Sequence, residues 1–377
     1  MDIVLQTRHL ARGLERIQGA VDRKSSMPIL SSVLLSTDGP HSVRVVATDL
    51  YMGAVSSVAA QVKQGGSVAL PARTFQDIVR KLPEGEVHLA VDERRAAEIR
   101  AGRTRYRVPG ASGDDFPPLP SPAGASFAEV DATTLLSLLS LTSYAMSSDD
   151  TRPHLAGALL KGDGKKLHVV ATDGHRLSKA EARVSDAMLG FEMLVPRKAV
   201  HELERFAHHM RQERSGGGGA ARIAVATAGP HAFFRSGDTM ISVKLGDDKF
   251  PPYDRVIPKS QERVLIVGRQ ALCDALTRMS LVSSERGGAV RMTLSPGTLR
   301  VVGESPEAGE GSEELDVDYA GTPLTIGFNA RYLLEAMGPL DSDRVRIELA
   351  GELDPAVVRP EPPGEIDFVG VIMPMRT

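Results

Sequence analysis

The sequence predicts an α+β chain of three structurally similar domains, each with two helices and antiparallel sheets. Three observations carry this reading. Leucine pairs at helical spacing recur three times, a second helix start recurs in step with them, and strand-like runs keep the same order around both.

The first helix of each unit is marked by Leu10 and Leu14, Leu135 and Leu139, and Leu272 and Leu276. A four-residue spacing stacks both side chains on one helix face. Leu10 and Leu135 stand 125 residues apart, and Leu135 and Leu272 stand 137 apart. Short apolar runs precede these helices, as at Ile3-Val4-Leu5 and Val264-Leu265-Ile266-Val267, and alternating strands such as 43–46 and 167–170 follow. A second helix opens at Pro71-Ala72-Arg73, Pro196-Arg197-Lys198 and Phe328-Asn329-Ala330, spaced by 125 and 132 residues. Its apolar face reads Phe75, Ile78, Val79 and Leu82 in the first unit. In the second it reads Val200, Leu203 and Phe206, and in the third Leu333, Leu334 and Met337. Pro71 and Pro196 are expected in the first helical turn, where a missing N–H costs nothing. A strand closes each unit, at 87–91, 223–225 and 345–349.

Two echoes tie the units together. Ala47-Thr48-Asp49-Leu50 returns 124 residues later as Ala171-Thr172-Asp173-Gly174, and Phe116-Pro117-Pro118-Leu119 returns as Phe250-Pro251-Pro252-Tyr253. The prolines would stiffen connectors near the ends of units one and two. The expected domains are 1–120, 126–255 and 261–377. The glycine run 216–219 reads as a surface loop inside the second, without the lysine of a phosphate-binding loop.

Composition narrows the function. Hydrophobic residues make up 42% and charged residues 25%, as in globular proteins, and Trp is absent, so the cores are aliphatic. A formal net charge of −3, from 45 basic and 48 acidic residues, excludes a generally basic nucleic-acid coat but leaves room for a basic stripe. The single cysteine, Cys273, excludes disulfides and thiolate clusters within the chain and reads as a buried small hydrophobe. No run has the pattern of a signal peptide or a membrane span, so a cytoplasmic protein without membrane partners is expected.

Several segments carry a resemblance to a known family. They are Met27-Pro28-Ile29-Leu30, Thr48-Asp49-Leu50, Thr172-Asp173-Gly174-His175-Arg176-Leu177 and Phe250-Pro251 with Tyr253, Arg255 and Val256. Gly327-Phe328-Asn329 with Tyr332-Leu333, and the closing run 371–376 with its Met373-Pro374-Met375-Arg376, complete the set. On these residues, spread over the whole chain, the protein resembles the bacterial DNA polymerase III beta subunit family, the replicative sliding clamps. The resemblance implies a head-to-tail homodimer of three-domain protomers, closed as a ring around duplex DNA with helices lining the hole. It also implies a non-catalytic processivity factor with no cofactor or metal. Its partners would be the replicative polymerase, a clamp loader and repair polymerases, all bound through short peptides.

A ring that slides must contact phosphates without reading bases. The expected DNA-facing residues are Arg8, Arg12 and Arg16 on the first helix, followed by Arg23 and Lys24. The second helix offers Arg73, Arg80 and Lys81, and the fourth offers Arg197, Lys198, Arg205 and Arg211. The fifth and sixth carry only Arg269, Arg278 and Arg331, and the third, expected over 133–144, has no basic residue. Ring closure needs complementary edges. The run 103–108 alternates, placing Arg103, Arg105 and Arg107 on one face and Thr104, Tyr106 and Val108 on the other. Glu304, Glu307, Glu310, Glu313 and Glu314 form an acidic stretch in the third domain. Pairing the two would cover open strand edges and set their register by charge. The resemblance implies that Tyr106 and Val108 lie near Leu281 and Val282 across that junction.

The same resemblance implies a peptide cleft between the second and third domains. Leu155, Thr172, Gly174, His175, Arg176 and Leu177 would line one side, and Pro251, Arg255 and Val256 another. Asn329 and Tyr332, with Val371, Ile372, Met373, Pro374, Met375 and Arg376, would complete it. Apolar walls would bury a Leu or Phe anchor while Arg and His hold the peptide's polar groups. Thr377, where relatives carry a larger apolar residue, and Gly287, where an aromatic can flank the cleft, depart from the family pattern and bear on peptide preference.

Two other function classes compete. An enzyme would use Asp173 and His175 as an acid–base pair with His154 or Asp49 assisting, but no nucleophile, metal-ligand set or cofactor fingerprint accompanies them. His208-His209 reads as a solvated or DNA-facing pair. The other class is a three-repeat protein-interaction scaffold that binds no DNA and needs no ring.

Overall fold

The computed structural model describes residues 1–184, 189–214, 220–283 and 288–376. The glycine run 216–219, Gly287 and Thr377 lie outside the described residues.

Six helices appear among the described residues. Helix α1, Thr7–Ile17, buries Leu10, Leu14 and Ile17 on one face and leaves Arg8, Arg12 and Glu15 exposed. Each such buried side chain stabilises the fold by roughly 1.5–3 kcal/mol. Helix α2, Ala72–Lys81, packs beside α1 and buries Phe75 and Val79. Pro71 is its N-cap, not a first-turn residue, because it still closes the strand Ser67–Pro71. Pro196 likewise ends the strand Leu189–Pro196.

Helix α3, Ala132–Ser140, is shorter than the 133–144 expected. Thr142 ends it by donating its hydroxyl back to the carbonyls of Leu138 (2.8 Å) and Leu139 (3.2 Å). A tighter turn, Ser143–Ala145, follows. Helix α4 spans Arg197–Arg214 and α5 spans Arg269–Ser280. Helix α6, Ala330–Met337, packs beside α5 and is capped by Asn329, whose Oδ1 accepts from Arg331 N at 3.0 Å.

The chain divides into two compact units, residues 1–133 with 205–245 and residues 134–204 with 246–377. In the first, thirteen strands form one antiparallel system. The long strand Met52–Gln64 belongs to two parts of it, because its start pairs with Thr239–Lys244 and its end with Asp2–Gln6. In the second unit, an eight-stranded sheet joins Arg176–Arg183 to Asp367–Ile372, and a four-stranded sheet ends at Gly309–Asp316. The middle repeat is thus shared out, pairing forward with one neighbour and back with the other. Three repeats of two helices plus antiparallel sheet account for the whole described chain.

Candidate peptide cleft and nucleic-acid face

The cleft is built on a turn. Thr172 ends the strand Lys166–Thr172, and its hydroxyl donates to Arg176 O at 2.7 Å while accepting from Gly174 N at 3.2 Å. Asp173 Oδ1 accepts from the backbone N–H of His175 (2.9 Å) and of Arg176 (3.0 Å). Gly174 sits at φ +90°, in the left-handed region that a side chain would strain. This turn re-aims the chain so that Arg176 and Leu177 start a strand facing the C-terminal strand, with Leu177 opposite Val371.

Arg176 is buried, with its side chain 7% exposed. Its Nε donates to Asp173 Oδ2 at 3.1 Å, its Nη2 to Tyr144 O at 2.6 Å, and its Nη1 to Glu335. The guanidinium lies 4.4 Å from the Tyr332 ring centroid and 5.3 Å from that of Tyr144. Burial alone would raise the Glu335 carboxyl, but hydrogen bonds from Arg331 and Arg176 outweigh it and hold the group below the usual carboxylate range. Burial pushes the Tyr144 hydroxyl up to about 12.

In front of this cluster opens an apolar cavity of about 290 Å³. Nine of the expected residues line it: Leu155, Thr172, Gly174, Arg176, Leu177, Pro251, Val256, Val371 and Met373. His154, Pro252 and Tyr253 line it too, outside the expected set. The Phe-Pro-Pro-Tyr echo was the signal for two of them. Phe250 and Tyr253 meet edge to face at 6.1 Å and pack on a floor of Leu159, Val170 and Val357. Met373 is held at the rim by its N–H on His175 O (2.9 Å), and Met375 by its N–H on Gly327 O (2.8 Å).

The remaining expected residues stand back from the wall. His175 and Arg255 are exposed at the turn and connector, Ile372 is buried in the strand, and Tyr332 acts through its stack on Arg176. Asn329 is engaged as the α6 cap, while Pro374 and Arg376 follow Met373. The acid–base reading of Asp173 and His175 loses its geometry. Both residues lie in a turn, not on a strand face, and both Asp173 oxygens are taken by the turn and Arg176.

The model of the DNA polymerase III beta subunit N-terminal domain matches residues 1–120, that of the central domain 129–252, and that of the C-terminal domain 254–376. The chain belongs to the DNA polymerase III beta subunit family. It is 34% identical to the beta sliding clamp of Caulobacter vibrioides (strain NA1000 / CB15N) over 90% of this chain and 91% of that one. The beta sliding clamp of Pseudomonas putida is 32% identical, with both chains covered in full. A DnaN sliding clamp from Bartonella birtlesii, solved bound to griselimycin, superposes with a TM-score of 0.91 at 34% identity, covering 100% of both chains. The function of this beta subunit is that of a replicative sliding clamp.

The basic residues expected to face DNA in this clamp are placed unevenly. Arg8, Arg12, Arg23, Lys24, Arg73, Arg80, Lys81 and Lys198 are exposed. Arg16 is not free: its Nη2 bonds Glu213 Oε2 at 2.5 Å and its Nη1 reaches Thr239 Oγ1 at 3.2 Å. Arg197 donates to Ser147 O at 2.8 Å, and Arg205 is half-buried with partners of its own. His208 and His209 are half-buried neighbours with ring centroids 6.4 Å apart, and burial lowers the His209 imidazole.

The two segments expected to close a ring lie on strands at the ends of their sheets. Thr104–Pro109 ends its sheet, with Arg103, Arg105 and Arg107 exposed. Arg105 reaches Glu98 at 3.1 Å and Arg107 reaches Asp92 at 2.5 Å. Val108 is 4% exposed within its own sheet, so only Tyr106, at 38%, projects. On the other edge, Gly309–Asp316, Glu310 and Glu314 face out while Glu313 turns to Arg278, 2.6 Å away. Glu307 lies exposed in the preceding turn. Leu281 is 76% exposed and Val282 half-buried. Cys273 is half-exposed instead of buried, because it sits at the border of the α5 apolar face set by Leu272 and Leu276.

Proposed function

We propose that this beta subunit closes as a head-to-tail homodimer around duplex DNA, with domains at 1–120, 126–255 and 261–377. It would hold its partners through the cleft at Arg176, Leu177, Val371 and Met373. The observation that carries the reading is the cavity itself. An apolar pocket of about 290 Å³ ends on a buried arginine held by three hydrogen bonds, which suits a short peptide with a Leu or Phe anchor beside a polar group. Replicative polymerase, clamp loader and repair polymerases would take turns there. The processivity mechanism is topological and needs no catalysis: a closed ring cannot leave DNA sideways, so weak phosphate contacts suffice. Arg8, Arg12, Arg73 and Arg80 are exposed cations suited to such contacts.

The open edges support closure. Unpaired strands invite pairing, and an arginine-bearing edge suits a glutamate-bearing one of a second copy. The test is fluorescence anisotropy with a labelled peptide carrying Leu and Phe anchors, comparing the full chain with one lacking residues 373–377. Micromolar binding lost on truncation is expected; binding that survives truncation would remove Met373 from the site.

A further inference from the structure

The first repeat contains a copy of the cleft-forming turn, matched bond for bond. Thr48 Oγ1 donates to Met52 O at 2.8 Å and accepts from Leu50 N at 3.0 Å. Asp49 Oδ1 accepts from Tyr51 N (2.9 Å) and Met52 N (2.6 Å). Leu50 takes φ +75° where Gly174 takes +90°. The strand that follows pairs Gly53 with Ser242, as Leu177 pairs with Val371. Lys244 N donates to Tyr51 O at 2.7 Å, as Met373 N does to His175 O at 2.9 Å. Phe116-Pro117-Pro118-Leu119 crosses this turn's strands as Phe250-Pro251-Pro252-Tyr253 crosses the other's.

The two copies differ in who supplies one leucine. In the second, Leu177 projects from the strand and is 3% exposed, and Tyr253 stands aside as a cavity wall. In the first, the strand has Gly53. A β-carbon placed there would lie 2.6 Å from Leu119 Cδ2, 2.8 Å from Ser242 Oγ and 3.1 Å from Leu119 Cδ1, so the connector's own leucine fills the position beside the Ser242 hydroxyl. Phe116, 7% exposed, anchors the same connector on Val46, Val55 and Ala69. A cavity of about 430 Å³ lies beside the connector, lined by Phe116 and Leu119 among others.

We propose that Leu119 is an intramolecular occupant that closes the first repeat's counterpart of the peptide cleft. The number of receptive clefts per protomer is therefore set by the Gly53/Leu119 pair. This rests on reading the Leu177 cavity as the peptide cleft. Leu119 does for the first copy what a partner's apolar anchor does for the second, at an effective concentration no free peptide matches.

The test uses the full chain with Gly53→Leu, Leu119→Ala and both together, followed by urea denaturation and by calorimetric titration with the Leu- and Phe-bearing peptide. Wild type is expected to bind one peptide per protomer. Gly53→Leu should destabilise by driving a side chain into Leu119 and against Ser242 Oγ, and adding Leu119→Ala should restore the part of the stability lost to Leu119. The double variant, now with a strand-supplied leucine and a vacated connector, should bind two peptides per protomer. Additive stability effects would overturn the assignment of Leu119 as occupant. Restored stability with one peptide per protomer would overturn the closed-cleft proposal. Wild type that binds no peptide while the stability cycle still couples would sink the peptide reading alone.

Discussion

Glu335→Gln isolates what holds Arg176 in place. Glu335 receives two arginines, Nη1 of Arg176 and Nε of Arg331 at 2.7 Å. The second bridge, an i,i+4 pair from a 77% exposed arginine, contributes about 0.3–0.5 kcal/mol at most. The first is a charged hydrogen bond to a buried donor, about 1.5–3 kcal/mol before screening. Glu335 is itself 28% exposed, and Arg176 keeps Asp173 and Tyr144 O, so the variant should cost about 1–2 kcal/mol. Because Arg176 lines the cavity, part of that cost should appear as roughly three- to tenfold weaker peptide binding. The sign of the pH dependence is fixed. The folded Glu335 carboxyl lies below its usual range, so its contribution is full above the unfolded value and is lost as pH falls through the folded one. The stability gap between wild type and variant should hold near neutrality and close in acid. Urea titrations at several pH values, paired with peptide anisotropy, read both. A gap that persists undiminished to about pH 3, or an unchanged affinity, would refute the idea that ionised Glu335 positions Arg176.

Four further outcomes follow from placement. Arg8→Ala with Arg12→Ala should weaken DNA binding and flatten the dependence of log affinity on log salt by roughly 0.9 per lost contact, without changing stability. Arg16→Ala should do the reverse, destabilising α1 through loss of Glu213 and sparing the salt slope, as paired DNA titrations and melts would show. Arg103→Glu with Arg105→Glu should halve the solution mass from twice 40.3 kDa to 40.3 kDa in sedimentation, since both side chains lie exposed along an open edge. Gly174→Leu should cost about 1–2 kcal/mol from its positive φ, whereas Leu50→Gly relieves the same strain and should be neutral or stabilising, as denaturation midpoints would report.

The fold was legible because its signals are local. Leucines four apart, strand alternation and the Phe-Pro-Pro echo depend only on nearby residues, and they placed the helices and a minority of the strands. What the sequence hid is set by distant partners. Nothing local to Arg16 says that Glu213 will claim it, and the strict alternation of 103–108 does not reveal that Val108 is already covered within its own sheet. Helix α3 stops early because Thr142 turns back on Leu138, which a run of leucines and serines conceals. Nine cleft residues fell into the cavity because the Thr-Asp-Gly turn carries its own hydrogen bonds; Asn329 did not, because its side chain was already committed to capping α6.

The turn also explains how two copies of one structure diverge. Its hydrogen bonds use only the threonine hydroxyl, the aspartate carboxylate and backbone groups, at 48–52 and at 172–176 alike. The other side chains can therefore change without disturbing the backbone. Met52 or Arg176, Gly53 or Leu177, and Leu119 or Tyr253 decide whether the apolar floor is plugged from within or left open in front of a held guanidinium. Receptivity to a partner is in this sense a property of three pairs of residues set on a repeated scaffold. Restoring the leucine to the strand and removing it from the connector is the smallest change that should move that property from one copy to both.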